Sequence, residues 1–403
     1  MSVLRLTCCP SWPTTPERAS DGTGKKNRLD VNKNGGIMIA FWDTADSKIA
    51  ALYDKLLWLL GKIYGVILQN THDFFTAPSF GSRLHWATIL GFCAFGLAAY
   101  VIYYRGRTRM RPSAVLGFLF PSKLYSHPSA LVDYQVFILN RLFTPAAVIT
   151  RPLSGSAMAA AVVAGLTTLF GQSGLTPVEV WWGIAILTLA YALAEDFAIW
   201  AAHAFSHHVP ILWQFHKLHH SAEVLTPLTA YRVHPVEETL GVVTSVLISG
   251  SFSGLVAYLF IEEPTYLTIL GAQAIPTTFY AAGHHLRHSH IWLSWGPWIS
   301  RILISPAQHQ IHHSIDPKHW NKNYGYIFAI WDWMFGSLYV PKEREDLKFG
   351  LDSKMEQIHP TAWAAYVVPF QDAWCLLSNR TGRLVRATSR MMRNFGRSTP
   401  ASP

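Results

Sequence analysis

Two stretches decide the fold of this chain, His216-Lys-Leu-His219-His220 and His309-Gln-Ile-His312-His313. A second histidine pair precedes each of them, as His203-Ala-Phe-Ser-His207 and as His284-His-Leu-Arg-His288. On a helix, residues three or four positions apart share a face, so each stretch is predicted to gather its imidazoles on one side. The same pattern, a histidine pair followed by a His-x-x-His-His stretch, therefore occurs twice along the chain.

The doubled pattern predicts a centre for two metal ions. Neutral imidazole suits iron, zinc and copper, and few cysteines or carboxylates accompany these histidines. A lone His-x-x-x-His pair is more often solvated or hydrogen-bonded, but two copies of both elements favour metal ligation. Two alternatives stay open: a metal transporter with a histidine store, and a metal-bound membrane protein without turnover. The predicted ligands are His203, His207, His216, His219, His220, His284, His288, His309, His312 and His313.

Composition places these histidines in a membrane protein. The 403 residues are 50% hydrophobic and 14% charged, which is more apolar and less charged than an ordinary soluble domain. We expect an all-α fold of polytopic membrane helices, with a cytosolic histidine-rich helical cap that holds the dimetal site. The apolar stretch 132–149 carries Asp133 and Arg141 and could be a re-entrant or an interfacial helix. The predicted spans are Trp86 to Tyr104, Leu153 to Phe170, Val180 to Ala202, Leu240 to Ile261 and Pro264 to Ala282.

The distribution of basic residues orients these spans. The two short loops that join the second span to the third and the fourth to the fifth contain no Lys or Arg. Basic residues lie at the opposite ends, for example from Arg105 to Arg111 and at Lys217 and Arg287. By the positive-inside rule we expect both loops outside and all histidine clusters in the cytoplasm. Each helical hairpin then delivers one copy of the pattern to a shared cap.

The two ends of the chain differ from this predicted core. Residues 1–37 are expected to be a non-native or disordered extension, because translation could start at Met38. The Gly35-Gly36 pair just before Met38 could be encoded by a purine-rich bacterial ribosome-binding sequence. The predicted location is therefore a bacterial inner membrane. We expect an N-terminal membrane region with one span and an interfacial helix over 38–152, a catalytic domain over 153–341 and a basic tail over 342–403. The arginines of the tail suit anionic lipid headgroups better than nucleic acid, and the four cysteines support neither disulfides nor a cysteine-based zinc site.

In its ordered series of motifs the chain resembles the fatty acid hydroxylase and sterol desaturase superfamily of integral membrane di-iron oxygenases. The resemblance covers roughly residues 195–340 and includes Glu195-Asp196, His234-Pro235, Asn323-Tyr-Gly325 and Trp331-Asp-Trp-Met-Phe-Gly336. It implies two irons that activate dioxygen to hydroxylate or desaturate an unactivated C–H bond of a sterol-like, fatty acyl or ether lipid. It also implies catalytic roles for the predicted ligands other than His284. His284 completes a pair that is found in the fatty acid hydroxylases.

Other polar residues near these motifs have two interpretations each. His208 and His285 point about 100 degrees away from their motif neighbours on a helix and are expected on the surface or behind the ligands. Glu195 or Asp196 could accept an N–H from a metal-bound imidazole. Three further histidines could reach the metals, or could orient a ligand, cap a turn or lie in a solvated loop: His234, His290 and His319. The motif residues that could simply close the cap are Asn323, Trp331 and Asp332.

The sequence contains neither a Gly-rich dinucleotide fingerprint in a strand–helix–strand unit nor a haem-attachment motif. Electrons are therefore expected from a separate ferredoxin, small cytochrome or reductase. A pterin is the alternative donor, as in the ether-lipid-cleaving members of the superfamily. The expected partners are a membrane lipid as substrate, dioxygen as co-substrate and this external donor.

Overall fold

The computed structural model of the chain describes residues 86–104, 111–143, 154–173, 180–260, 284–351 and 361–395, with a few isolated positions outside these ranges. The chain divides into two compact units, Ile67–Trp374 and a unit formed by Met1–Val66 and Cys375–Pro403. All residues discussed below as the site lie in the first unit. The expected extension over residues 1–37 lies outside the described residues, as does nearly all of the fifth predicted span.

The described part of the chain is helical, which confirms the predicted all-α class. Its α-helices are α1 Trp86–Tyr104, α2 Pro112–Leu119, α3 Ser122–Tyr125, α4 Pro128–Phe143, α5 Gly155–Phe170, α6 Val180–His208, α7 Pro210–His220, α8 Pro235–Ser245, α9 Ser251–Phe260, α10 Gly296–Ile299, α11 Pro306–His312, α12 Ile330–Met334 and α13 Ala362–Phe395. A π-helical turn, Val246–Gly250, joins α8 to α9. Short 3-10 helices lie at Pro227–Tyr231, His284–His288 and Pro317–His319. The only β pairing among these residues is one bridge between Leu303 and Phe328.

Among the described residues, two helical segments are long and apolar enough to cross a bilayer. They are Trp181–His208 within α6 and Pro235–Phe260, which runs from α8 to the end of α9. They contain nearly all of the third and fourth predicted spans. The helices α1 and α5 occupy the first two predicted spans, and their apolar parts are the shorter segments Thr88–Ile102 and Gly155–Phe170.

Two glycines bring the second apolar segment against α5. A Cβ atom added at Gly254 would lie 2.6 Å from the carbonyl oxygen of Ala159, and one added at Gly250 would lie 2.9 Å from that of Gly155. Small residues four positions apart allow two membrane helices to approach closely. The apolar segment that ends in α9 follows the first copy of the histidine pattern. It therefore packs against α5, which precedes that copy.

A buried ion pair fixes α4, the apolar segment whose sequence left its placement open. Asp133 is fully buried, and its Oδ1 atom accepts a hydrogen bond of 2.9 Å from Arg232 Nη1. The same guanidinium donates to the carbonyl of Leu218 and to the hydroxyl of Ser221. A buried pair is tolerated when further hydrogen bonds satisfy both charges. The pair thus ties α4 to the end of α7, which carries three of the predicted ligands.

Candidate metal centre

Nine of the ten predicted ligands gather in two adjoining clusters. Within each cluster the candidate ligand nitrogens all lie within 4.8 Å of one another. The clusters adjoin because the rings of His220 and His313 stack with their centroids 4.6 Å apart. The five-histidine cluster consists of His203, His207, His216, His220 and His312. The four-histidine cluster consists of His219, His288, His309 and His313.

Each copy of the pattern contributes to both clusters. In the first copy His216 and His220, four positions apart on α7, join the five-histidine cluster, whereas His219 joins the other. The second copy shows the same exchange, because His309 and His313 stay together and His312 crosses over. Neither copy therefore builds a complete cluster by itself.

His284 lies outside both clusters. The sequence predicted His284 and His288 on one face of an α-helix, but residues 284–288 form a 3-10 helix. With about three residues per turn, position i+4 is rotated by about 120 degrees from position i. His284 is buried, and its ring contacts Phe279 and Tyr326. Its role as a metal ligand remains a prediction.

Hydrogen bonds fix the orientation of three rings in the five-histidine cluster. The Nδ1 atom of His203 donates to the Tyr324 carbonyl at 2.9 Å, and that of His312 donates to the Lys322 carbonyl at 2.7 Å. His216 Nδ1 donates to Glu237 Oε1 at 2.7 Å. Because these oxygens accept, each ring carries its proton on Nδ1 and keeps the lone pair of Nε2 for a metal.

Two of these Nε2 atoms are available to bind a ligand. The Nε2 atoms of His203 and His312 are buried, and neither has a hydrogen-bond partner among the described residues. A buried polar atom without a partner is costly, so such atoms in a native fold normally meet a ligand, an ion or water. The donor set, made of nitrogen without thiolate, fits iron or zinc better than calcium or magnesium. The residues present thus fit a bound transition metal.

Burial keeps the ligand rings neutral. It lowers the pKa of His216 and that of His219 to about 3. Desolvation also holds the pKa of four further cluster histidines well below the usual value, namely those of His220, His309, His312 and His313. Metal ions bind the neutral imidazole, so these rings need not first lose the extra proton of an imidazolium ion at neutral pH.

A buried carboxylate holds the loop that orients His203. Asp332 accepts hydrogen bonds from Trp200 Nε1 at 3.1 Å and from the backbone N–H groups of Tyr324 at 2.9 Å and Gly325 at 2.8 Å. A Cβ atom at Gly325 would lie 2.7 Å from the Phe328 carbonyl oxygen, so a side chain does not fit there. The motif residue Asp332 therefore closes the cap and positions a ligand at the same time.

A second carboxylate, Asp196 on α6, holds the other end of this loop. Its oxygens accept from the N–H groups of Ile327 and Phe328 and from Trp331 Nε1. The neighbouring Glu195 accepts from the hydroxyl of Ser245. Both were candidates for accepting an N–H from a ligand imidazole, but the carboxylate found in that position is Glu237.

The remaining candidate histidines lie outside both clusters and have other partners. His234 caps the first turn of α8, because its Nδ1 atom accepts from the Val236 N–H, and its Nε2 atom donates to the Tyr366 carbonyl. His290 donates to the Phe118 carbonyl at 2.6 Å. His319 hydrogen-bonds to Glu345, and His208 hydrogen-bonds to the hydroxyl of Tyr324. His285, expected on the surface or behind the ligands, is buried.

Sequence reasoning missed two charged residues that contact ligand rings, Glu237 and Arg287. Glu237 lies in the first turn of α8, where acidic residues are ordinary because they favour the helix N-terminus. Nothing in the sequence separates it from the adjacent Glu238. Arg287 lies inside the second histidine pair and was counted only as a basic residue near the membrane.

A cavity of about 820 Å³ adjoins the clusters. Its volume is within the range of lipid and cofactor pockets. The cavity is enclosed partly by α6, from Glu195 to Ser206, and partly by α8, from Glu237 to Ser245. Five cluster histidines line it: His203, His216, His219, His288 and His309. Its apolar lining residues include Phe137, Ile199, Val233, Val242 and Val246.

Comparisons with known proteins agree with this geometry. Residues 188–337 match the family model described as fatty acid hydroxylase. An alkylglycerol monooxygenase of Danio rerio is 29% identical over 171 residues, which are 42% of this chain and 32% of that protein. A Delta(7)-sterol 5(6)-desaturase of Gibberella zeae is 30% identical over 166 residues, 41% of this chain and 46% of that protein. An ornithine lipid hydroxylase of Rhizobium tropici is 27% identical over 178 residues, 43% of this chain and 48% of that protein.

The matched segment spans a third to a half of the length of these curated relatives. No solved structure matches the chain significantly. The family match covers all nine clustered histidines and the loop that orients them. The predicted resemblance to the superfamily of fatty acid hydroxylases and sterol desaturases is therefore confirmed over residues 188–337.

Proposed function

We propose that the chain is a membrane enzyme that uses dioxygen to hydroxylate or desaturate a lipid at a centre of two histidine-bound iron ions. The observation that supports this proposal is the pair of adjoining imidazole clusters beside a cavity of about 820 Å³. Bound iron would supply the oxidising power that an unactivated C–H bond demands and that no side chain provides.

The residues of the chain then have three tasks in this proposal. The nine clustered histidines hold the metals, and the carbonyls of Lys322 and Tyr324 keep two of the rings turned toward them. The apolar side chains that line the cavity, such as Ile199 and Val242, would exclude water from the reacting carbon. The apolar helices α6 and α8 border the cavity, so a lipid tail could enter it from the bilayer between them.

The substrate class follows from the relatives only at a coarse level. Their names include an alkylglycerol monooxygenase, a sterol desaturase and an ornithine lipid hydroxylase. We accordingly propose a membrane lipid of sterol-like, fatty acyl or ether-lipid type. We further propose that the electrons come from a ferredoxin, small cytochrome, reductase or pterin, and that the chain is a multi-pass protein of a bacterial inner membrane with its clusters facing the cytoplasm.

Growth under labelled oxygen gas tests this function. Lipids are extracted from cells that carry the gene and compared by mass spectrometry with lipids from cells that carry His312→Ala. We expect one lipid heavier by one labelled oxygen only in the former, or one lipid lacking two hydrogens if the reaction is a desaturation. The matched control is His208→Ala, which lies outside both clusters and should keep the product.

The purified protein should contain about two iron ions per chain after anaerobic preparation. No oxygen-dependent lipid difference, together with a change in cellular metal uptake, would contradict the proposal and favour a transporter. Full lipid-modifying activity with zinc in place of iron would contradict the iron assignment alone.

A further inference from the structure

We propose that the two metal positions are unequal, because a carboxylate contacts a ligand of the five-histidine cluster and a guanidinium contacts a ligand of the four-histidine cluster. The five-histidine cluster then binds its metal ion more tightly and fills first. This inference rests on the two-metal part of the proposed function and is independent of the substrate.

The carboxylate is that of Glu237. Its Oε1 atom accepts from His216 Nδ1 at 2.7 Å. Its Oε2 atom is buried and has no hydrogen-bond partner among the residues that the structure describes. A carboxylate behind a ligand imidazole makes the opposite nitrogen a stronger donor and adds negative charge near the cation. The other two oriented rings of this cluster donate to neutral backbone carbonyls.

The guanidinium is that of Arg287, which is buried. Its Nη2 atom lies 3.0 Å from His309 Nδ1 and also donates to the Gly325 carbonyl at 2.7 Å. Its Nη1 atom donates to the Tyr326 carbonyl at 2.8 Å. The two carbonyls hold the positive charge in place beside the four-histidine cluster.

This contact also fixes the tautomer of His309. Arg287 has only donors, so His309 Nδ1 accepts, and a neutral ring then carries its proton on Nε2. That Nε2 atom is the one that faces the cluster, at 2.9 Å from Nε2 of His288. A metal ion that uses this nitrogen must displace either the proton or the hydrogen bond to Arg287, and it must do so beside a buried cation. Metal binding at the four-histidine cluster is weakened by both effects.

A titration of the metal-free, full-length protein in detergent tests the inference, with Zn²⁺ as the probe and a coloured chelator as competitor. We expect two binding events whose affinities differ at least tenfold. Glu237→Gln keeps an oxygen that can accept from His216 but removes the charge. It should weaken the tighter event by about ten- to a hundredfold and leave the weaker event unchanged. The matched control is Glu238→Gln, which makes the same charge change one residue away and should alter neither event.

The second variant is Arg287→Gln, which should strengthen the weaker event by about tenfold. Arg287→Lys retains the charge and should preserve the order of the two affinities. If Arg287→Gln does not fold, ligand removal still decides the question, because His220→Ala should abolish the tighter event and His313→Ala the weaker one. The reverse assignment, or two equal affinities in the unaltered protein, would overturn the inference. Since zinc affinity is measured without lipid turnover, a wrong substrate or reaction leaves the result readable.

Discussion

The Nε2 atom of His219 lies 3.2 Å from that of His288, although the two residues belong to different copies of the histidine pattern. The next residue in the chain, His220, belongs to the other cluster and packs its ring 4.8 Å from that of His312. Two adjacent residues on one helix therefore belong to two different histidine clusters. This relationship makes the two clusters separable by experiment.

Replacing each of these neighbours by alanine should remove a different metal ion. His219→Ala should lose the ion of the four-histidine cluster and His220→Ala that of the five-histidine cluster, because each cluster loses one of its nitrogens. Metal analysis should give about one ion per chain in both variants, and their iron spectra should differ. The control, His208→Ala, should keep both ions. Identical spectra for the two variants would contradict the assignment of these residues to separate clusters.

The metal-free protein should lose stability as the pH falls below about 6.5. Histidine in an unfolded chain has a pKa of about 6.5, whereas burial lowers the pKa of His216 and His219 to about 3. Below pH 6.5 the unfolded state binds more protons, so the free energy of unfolding falls with falling pH. Each of these histidines should contribute about 1.4 kcal/mol per pH unit.

Urea unfolding between pH 7.5 and pH 5.5 measures this effect. The slope should be nearly flat above pH 7 and should become steeper below it. A His216→Gln variant removes one titrating ring and should show a slope that is smaller by about one proton. A stability that increases on acidification would show that the buried rings are protonated in the folded state.

Asp133→Ala should be among the most destabilising single substitutions. It leaves the Arg232 guanidinium buried without its carboxylate, at a cost of about 3–5 kcal/mol. Adding Arg232→Met should restore part of the loss, because the unpaired charge is then removed. The exposed Asp346 provides a control, since Asp346→Ala should change the free energy of unfolding by less than about 0.5 kcal/mol. Equal effects of the two alanine variants would argue against a stabilising pair.

Gly254→Ala should lower the melting temperature in detergent. The added methyl group would lie 2.6 Å from a backbone oxygen of α5, and backbone cannot move aside easily. Gly165→Ala on α5 is the matched control, because no atom lies within 4 Å of its added methyl group. It should be neutral or slightly stabilising through helix propensity. A similar decrease for both variants would locate the effect in the helices themselves rather than in their contact.

Single-cysteine variants test the proposed orientation in the membrane. Gln172 and Lys318 are both exposed, the first between α5 and α6 and the second shortly after the second copy of the histidine pattern. A thiol reagent that does not cross membranes should label Gln172→Cys in intact cells and Lys318→Cys only after permeabilisation. Labelling of Lys318→Cys from outside would reverse the orientation.

Local spacing was sufficient to predict much of this fold. The helix α1 has the bounds of the predicted first span, because an uninterrupted apolar stretch has few alternatives in a membrane. The clustered histidines of α6, α7 and α11 were predicted from their i, i+3 and i, i+4 spacing, which places them on one face of each helix. The spacing failed at His284, because the sequence did not reveal that residues 284–288 form a 3-10 helix.

The histidine pattern could not predict contacts between residues that are far apart in the sequence. Glu237 is 21 positions from His216, and Arg287 is 22 positions from His309. Their hydrogen bonds depend on how α8 and the 3-10 helix pack against the clusters. The exchange of His219 and His312 between clusters has the same origin, because spacing within one helix defines a face but not the neighbour that the face meets.

The membership of His312 in the five-histidine cluster sets an order of events during synthesis. His312 follows His220 by 92 positions, so the ribosome has produced four of the five rings long before the last one exists. Over that interval the nascent chain offers an incomplete set of nitrogens while the apolar segment Pro235–Phe260 is made. The five-histidine cluster is therefore complete only when most of residues 188–337 have been made, and an ion that needs all five rings cannot be captured before the two copies of the pattern have met.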